Sequence, residues 1–375
     1  MLNCNNLYNI FEDNGLTFFT GVPDSTFKDW MEFLSDKEGL TNRIVSIERE
    51  AIGWAAGYHA STGKIGVVYM QNSGLGNVVN PITSLADPEI YNLPLLLMIG
   101  WRGEPNKHDE PQHKKMGRIT LPLLDVLEIP YKILPDNLQD AKQIIKEMKQ
   151  IAEKRSAPVA LIVKEGTFEE YKSKNPIKTN YELLREEAIK SIIDNLNGSE
   201  VIVSTTGKAS RELFEYREEL KQGHNKDFLM VGSMGLASSF AAEIALQKPN
   251  KKILIFDGDG AAIMSAGNLS TIGYYSPKNL YHIIFDNNSY DSTGGQPTTS
   301  STLNFEKMAL ACGYKSAKVV ETKEDLIKTV KNLTDLEGPY MLIVKTKRGA
   351  RKNLGRPTIA PVDNKKAFME FLNKA

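Results

Sequence analysis

The sequence predicts an α/β protein of two doubly wound domains, each built on a parallel sheet. Short apolar runs that stop at turn residues recur from one end of the chain to the other. Stretches with helical periodicity, such as "KEDLIKTVKNLTDL" at 323–336, separate them. Strands that are apolar throughout and alternate with amphipathic helices belong in parallel sheets covered on both faces. The runs also fall into two sets, on either side of the polar, lysine-rich stretch "GTFEEYKSKNPIKTNYE" at 166–182.

In chain order, the first set is "LTFFTGV" (16–22), "RIVSI" (43–47), "IGVVYMQ" (65–71), "LPLLLMIG" (93–100) and "APVALIV" (157–163). The second is "EVIVSTTG" (200–207), "DFLMVG" (227–232), "KILIFDG" (252–258), "LYHIIFD" (280–286) and "YMLIVKT" (340–346). The expected organisation is a domain over 1–170, a linker over 171–182 and a second domain over 183–375. A chain of 375 residues is long enough for two domains.

Composition narrows the function. Lysine plus arginine and aspartate plus glutamate both number 46, so there is no basic excess for nucleic acid and no acidic tail. The longest apolar run, "LPLLLMIGW", falls well short of the roughly 20 residues of a membrane helix. The polar start "MLNCNNLYNIFEDNG" does not read as a secretory signal, and Cys4 and Cys312 are too few for a disulfide framework. A soluble, cytoplasmic protein is expected.

The segment "KILIFDGDGAAI" carries the first chemical signal. A strand entering a glycine turn and a small-residue helix is how such proteins cradle phosphate, here through Gly258, Gly260 and Ala261. Asp257 and Asp259 would repel a phosphate unless a divalent cation stood between. Magnesium takes hard oxygen ligands, often one or two side chains plus substrate phosphates. A second ligand is then expected at the end of the next strand, where "LYHIIFDNNSYDST" offers Asn287, with a backbone carbonyl near Ser289.

"GDG" followed by an asparagine-bearing turn resembles the cofactor signature of thiamine-diphosphate enzymes. That resemblance implies two domains of the thiamine-diphosphate-binding type, a pyrimidine domain and a diphosphate domain. It also implies magnesium, with Asp259, Asn287 and Ser289 as its ligands. A glutamate that hydrogen-bonds the aminopyrimidine ring is expected after a strand of the other domain. "RIVSIEREAIGWAAGYHASTGK" offers Glu48, whose ordinary alternative is a first-turn acid favoured by the helix dipole. "VGSMGLASS" resembles the segment that meets the ring through a carbonyl (Gly232) and bends the cofactor with an apolar wedge (Met234), with Ser233 between them. The resemblance also assigns cofactor contacts to Thr206, Gly207 and Ser210 of "STTGKASRELF" and to Tyr290.

The chain has no room for the middle domain that many members carry. Its brevity, and phrases such as "TGVPDSTFKDW" and "ARKNLGRPTIAPVDNKKAFM", resemble the phosphonopyruvate decarboxylase family and its sulfopyruvate-cleaving relatives. The implied activity is decarboxylation of a 2-oxo acid with a second anionic group, with Glu48 carrying catalysis and His113 a candidate acid or base. Asp24, Ser25, Asn72, Arg102, Lys107 and Arg351 are candidate substrate contacts; Lys28, Arg348, Lys352 and Arg356 are further cations for the remote anion. The basic run "KTKRGARKNLGR" also reads as a solvated tail, His113 as a surface histidine and His282 as structural. A homodimer or higher homo-oligomer with sites at subunit interfaces is implied. The same chemistry on sulfopyruvate or pyruvate remains open. A nucleotide-dependent oxidoreductase is disfavoured, because no G-x-G-x-x-G opens a βα unit.

Overall fold

The computed structural model describes residues 1–174 and 179–374; of the expected 171–182 linker, residues 175–178 lie outside them. The chain divides into two compact units, Met1–Pro176 with Thr293–Pro297 and Ile177–Ser292 with Thr298–Ala375.

The first unit holds strands β1 (Phe18–Gly21), β2 (Thr41–Ile44), β3 (Gly66–Gln71), β4 (Leu95–Gly100), β5 (Tyr131–Ile133) and β6 (Val159–Val163). Its helices are α1 (Cys4–Asp13), α2 (Lys28–Asp36), α3 (Glu48–Thr62), α4 (Leu75–Pro81), α5 (Pro111–Val126) and α6 (Leu138–Arg155). The strands pair in parallel in the order β2-β1-β3-β4-β6-β5. All six residues of β4 are buried, as expected of a central strand covered on both faces. Leu7, Phe11, Trp30, Ile145 and Met148 from α1, α2 and α6 pack with Phe19, Met98 and Leu161 of the sheet. Helix α3 covers the opposite face of β1 and β3. Its alanines allow that close seat: Phe18 stacks on Tyr58 with ring centroids 4.4 Å apart.

The second unit holds β7 (Leu183–Leu184), β8 (Val201–Ser204), β9 (Asp227–Leu229), β10 (Ile253–Gly258), β11 (Leu280–Asp286), β12 (Ser316–Val320) and β13 (Tyr340–Lys347). Helices α7 (Arg185–Ile193), α8 (Lys208–Glu219), α9 (Ala237–Gln247), α10 (Asp259–Met264), α11 (Gly267–Tyr275), α12 (Phe305–Ala311), α13 (Lys323–Val330) and α14 (Pro361–Asn373) surround them. The main path is β12-β13-β11-β10-β8-β9, all parallel, and β7 adds to the end of β13. One core lies under α7, α8 and α13 around Phe256, Tyr281 and Leu342. The other lies under α9, α12 and α14 around Ile255, Ile284 and Phe368.

The two sheets share one strand order. Taken from its other end, the second reads β9-β8-β10-β11-β13-β12, which is the order β2-β1-β3-β4-β6-β5 of the first. Each chain segment therefore reverses its winding beside its own first long strand: between β1 and β3, and between β8 and β10. Ligands of open α/β sheets bind at the carboxyl edge of such a switch point.

Candidate active site

The carboxyl edge of the first sheet collects buried polar groups. Glu48 is the first residue of α3, where the helix dipole favours a carboxylate, and is only 6% exposed. Asn77 Nδ2 donates to Glu48 Oε2 at 2.7 Å. The carboxylate lies directly over Gly74: a Cβ added there would stand 2.5 Å from Oε1 and 2.6 Å from Cγ. The glycine in "QNSGLGN" thus clears space for Glu48.

Asp24, just past β1, is fully buried. Its Oδ1 accepts from Thr26 N at 3.1 Å and Gln71 Nε2 at 2.7 Å, while Oδ2 has no partner. Burial pushes this carboxyl above its ordinary range, against the pull of its donors and of Arg102. Arg102 follows β4 and forks onto Asp109 through Nε and Nη2, at 2.8 and 2.5 Å, and Nη1 donates to Ser25 Oγ at 3.0 Å. Burial acts to raise Asp109, but Arg102 and the amides of Glu110 and Gly103 outweigh it and hold the carboxyl well below the usual carboxylate range.

Two of the substrate contacts expected from the sequence have partners within the protein. Asn72 commits both amide protons internally, to Arg102 O at 2.8 Å and Thr120 Oγ1 at 2.9 Å, so it ties β3 to β4 and α5. Lys107 pairs with Glu104 at 2.6 Å on a half-exposed loop. His113 lies in the first turn of α5, partly buried, with its amide on Glu110 O at 2.9 Å. Lys28 begins α2 on the surface.

At the carboxyl edge of the second sheet, Asp259 opens α10 and is 3% exposed. Its Oδ2 accepts from the hydroxyls of Thr298 and Ser300. Burial, then the nearby Asp286 carboxylate, push Asp259 up to about 7. Asn287, buried just beyond β11, takes Ser289 N on Oδ1 at 2.9 Å and gives Nδ2 to Asp291 at 2.8 Å. Ser289 Oγ, Ser204 Oγ and Thr205 Oγ1 are buried without partners. Arg348 donates to the carbonyls of Asn287 and Asn288.

The phosphate-type turn between β8 and α8 is closed by Ser210, whose hydroxyl donates to Thr205 O at 2.7 Å; Thr206 and Gly207 form the turn. Gly260 is a point of close approach: an added Cβ would lie 2.6 Å from the Tyr290 ring and 3.4 Å from Met234 Cε. Tyr290, Met234 and the GDG turn (Gly258, Gly260, Ala261) are thereby brought together. Gly232 and Ser233 precede Met234, with Ser233 at φ 53°. Arg351, expected to meet the substrate anion, is paired with Glu186 at 3.1 Å and with Glu215. His282 is fully buried between Asp257 and Tyr314.

These groups suit magnesium. The acceptors near Asp259 are hard oxygens, its hydrogen-bond donors are neutral hydroxyls and an amide, and the Arg348 guanidinium stands near enough to feel its charge without bonding to it. No cluster of three histidine, cysteine or acidic side chains among the described residues forms a self-sufficient metal cage. One acid with neutral oxygens suits a cation that is shared with a ligand's phosphates.

Residues 5–121 match the family described as thiamine pyrophosphate enzyme, N-terminal TPP binding domain, and residues 205–344 the corresponding C-terminal TPP binding domain. The phosphonopyruvate decarboxylase of Streptomyces viridochromogenes is 31% identical over 96% of this chain and 92% of that protein. The chain belongs to this family of thiamine pyrophosphate enzymes. Two relatives from Methanocaldococcus jannaschii match about half of it each. Sulfopyruvate decarboxylase subunit beta is 38% identical over 51% of this chain and 98% of that subunit. Subunit alpha is 36% identical over 42% of this chain and 89% of that subunit. The two matched regions are thus an N-terminal and a C-terminal TPP binding domain, and no third, middle domain is matched.

Sequence reasoning did not find Asp286, Thr298 and Ser300 around Asp259, nor Asp109 on Arg102. Asp286 left a signal, as an acid ending a mostly apolar, fully buried run. Thr298 and Ser300 left none, since only the folded chain brings them to Asp259.

Proposed function

We propose that this chain is a magnesium- and thiamine-diphosphate-dependent carboxy-lyase that converts 3-phosphonopyruvate to phosphonoacetaldehyde and carbon dioxide. Asp259 is the observation that carries the reading. It is a buried carboxylate at the mouth of a phosphate-type turn, surrounded by oxygen ligands and pushed up to about 7 by burial and by the neighbouring Asp286 carboxylate. Near full-length similarity to a phosphonopyruvate decarboxylase supports the substrate.

In this reading Asp259, the Asn287 side-chain oxygen and the Ser289 carbonyl hold magnesium. Gly258, Gly260, Ala261, Thr206 and Gly207 supply backbone to the diphosphate. The Gly232 carbonyl, Ser233, Met234 and Tyr290 line the cofactor, and Ser210 braces the turn. Thiamine diphosphate, when bound, supplies the electron sink that accepts the electrons of the broken carbon–carboxylate bond. Glu48 holds and returns a proton at its carboxylate, which Gly74 and Asn77 keep in one place. Arg102 and Ser25 present donors at the end of β4, and Asp24 shapes the same edge. His113 is the candidate to move a proton near the substrate.

We also infer a homodimer or higher homo-oligomer in the cytoplasm. No helix among the described residues is long and apolar enough to cross a membrane. The sulfopyruvate decarboxylase subunits favour a second reading, the same chemistry on sulfopyruvate.

Carbon dioxide release from phosphonopyruvate, sulfopyruvate and pyruvate, compared with magnesium and thiamine diphosphate present, tests the substrate. Preference for phosphonopyruvate is expected, and preference for either rival overturns the substrate assignment. A fully active monomer in sedimentation would remove the oligomer.

A further inference from the structure

A buried ionic chain runs behind Asn287. Arg185 opens α7 with 7% exposure and forks onto Glu212 of α8 at 2.8 and 3.0 Å. Its remaining nitrogen Nη1 donates to Asp291 Oδ2 at 3.1 Å. The same Oδ2 receives Asn287 Nδ2 at 2.8 Å, and Oδ1 receives Gly349 N at 3.2 Å. Lys208 Nζ grips the Asp291 backbone carbonyl at 3.0 Å. The Asp291 carboxylate is thus fixed by donors from α7 and from the strap after β13, and its backbone by a donor from the start of α8.

An asparagine amide has a donating end and an accepting end of nearly equal shape, and a metal can use only the oxygen. A carboxylate accepts and cannot donate, so Asp291 admits only the NH2 end of Asn287. That contact forces Oδ1 to the opposite side, where Ser289 N uses one of its two lone pairs. We propose that Asp291, itself fixed by Arg185 and Glu212, is a positioning residue that locks the Asn287 amide with its oxygen toward the magnesium. The inference rests on the reading of Asn287 as a magnesium ligand. It adds to that reading a supporting shell whose loss weakens metal binding, typically by about 10- to 100-fold.

A double-mutant cycle tests it, with Mn2+ as the probe. Free Mn2+ is followed by electron paramagnetic resonance with thiamine diphosphate present and no substrate. Asp291→Ala is expected to weaken Mn2+ binding about tenfold or more. In an Asn287→Ala background the same change is expected to add nothing, because the effect passes only through that amide. Should Asp291→Ala fail to fold, Asp291→Ser serves the same cycle. Wild-type affinity in the Asp291 variant overturns the positioning role. An equal further loss in the Asn287→Ala background also overturns it, since that result belongs to general damage of the loop. Unchanged affinity in Asn287→Ala alone removes the ligand reading, and the inference with it.

Discussion

Asp259 and Asp286 share the hydroxyl of Ser300, whose Oγ stands 3.0 Å from one carboxylate and 2.9 Å from the other. A hydroxyl carries one proton, so it satisfies only one of them at a time. Asp286 has a cation of its own, Lys345 Nζ at 2.6 Å, whereas Asp259 is met by neutral donors, the hydroxyls of Thr298 and Ser300 and the amide of Gly260. The negative charge at the phosphate-type turn is therefore the one without a cation bonded to it, Arg348 acting on it only at longer range. A phosphate loop with an acid in its mouth makes physical sense when a divalent cation supplies the missing charge.

Asp259→Asn should raise the melting temperature of the cation-free protein and abolish the further rise produced by magnesium with thiamine diphosphate. Each tenfold gain in a carboxyl's proton affinity on folding corresponds to about 1.4 kcal/mol at most, so a rise of a few degrees is the expected scale. Thermal melts with and without the two additives check both halves. A variant that still gains full stability from magnesium would show that Asp259 does not hold the cation.

Glu48→Gln is expected to keep the fold and the bound cofactor while turnover falls by about 10²–10⁴, the usual range for a lost acid–base group. Gly74→Ala tests the same carboxylate indirectly. Its new Cβ would stand 2.5 Å from Oε1, so Glu48 must move aside while the backbone loses nothing else. Turnover should drop at least about tenfold with little change in unfolding midpoint, since small displacements of reacting groups are costly. Wild-type turnover in Gly74→Ala would mean that the placement of Glu48 does not matter.

The long central strands were legible because burial on both faces requires unbroken apolar runs, as in β4, β10 and β11. The edge strands β5 and β12 escaped for the converse reason. They are short or half exposed, and Tyr131–Ile133 and Ser316–Val320 carry no apolar run to detect. Glu48 and Asp259 were legible as acids at strand-to-helix junctions. Their partners were not: Ser300 meets Asp259 across an irregular stretch of sequence, and no periodicity links the two. The fate of the arginines was also hidden. Arg102 and Arg351 look like anion ligands in sequence, and only the fold shows Asp109 and Glu186 already on them.

Asp109→Ala should destabilise the first unit by about 2 kcal/mol, because it leaves the part-buried Arg102 guanidinium without its forked partner. Denaturant unfolding measures this directly. The conservative Asp109→Asn should recover part of the loss, since it keeps an acceptor but not the charge. Equal stability of wild type and Asp109→Ala would show that the pair is energetically idle.

Asp24 gives a pH dependence with a definite sign. Its carboxyl is raised by burial, so the folded state binds the proton more tightly than the unfolded chain does. The stability linked to that proton is fully present below the ordinary carboxylate range and is lost as pH rises through the raised value. At neutral pH the buried charge is therefore a cost, made larger by Oδ2, which has no partner. Asp24→Asn keeps an oxygen for Thr26 N and Gln71 Nε2 while removing the charge. Its melting temperature should exceed that of the wild type at pH 8, by about 2 °C for each kcal/mol recovered. The gap should shrink steadily as pH falls toward the ordinary carboxylate range. A gap that stays constant across that range would show that the Asp24 charge is not what destabilises the folded state.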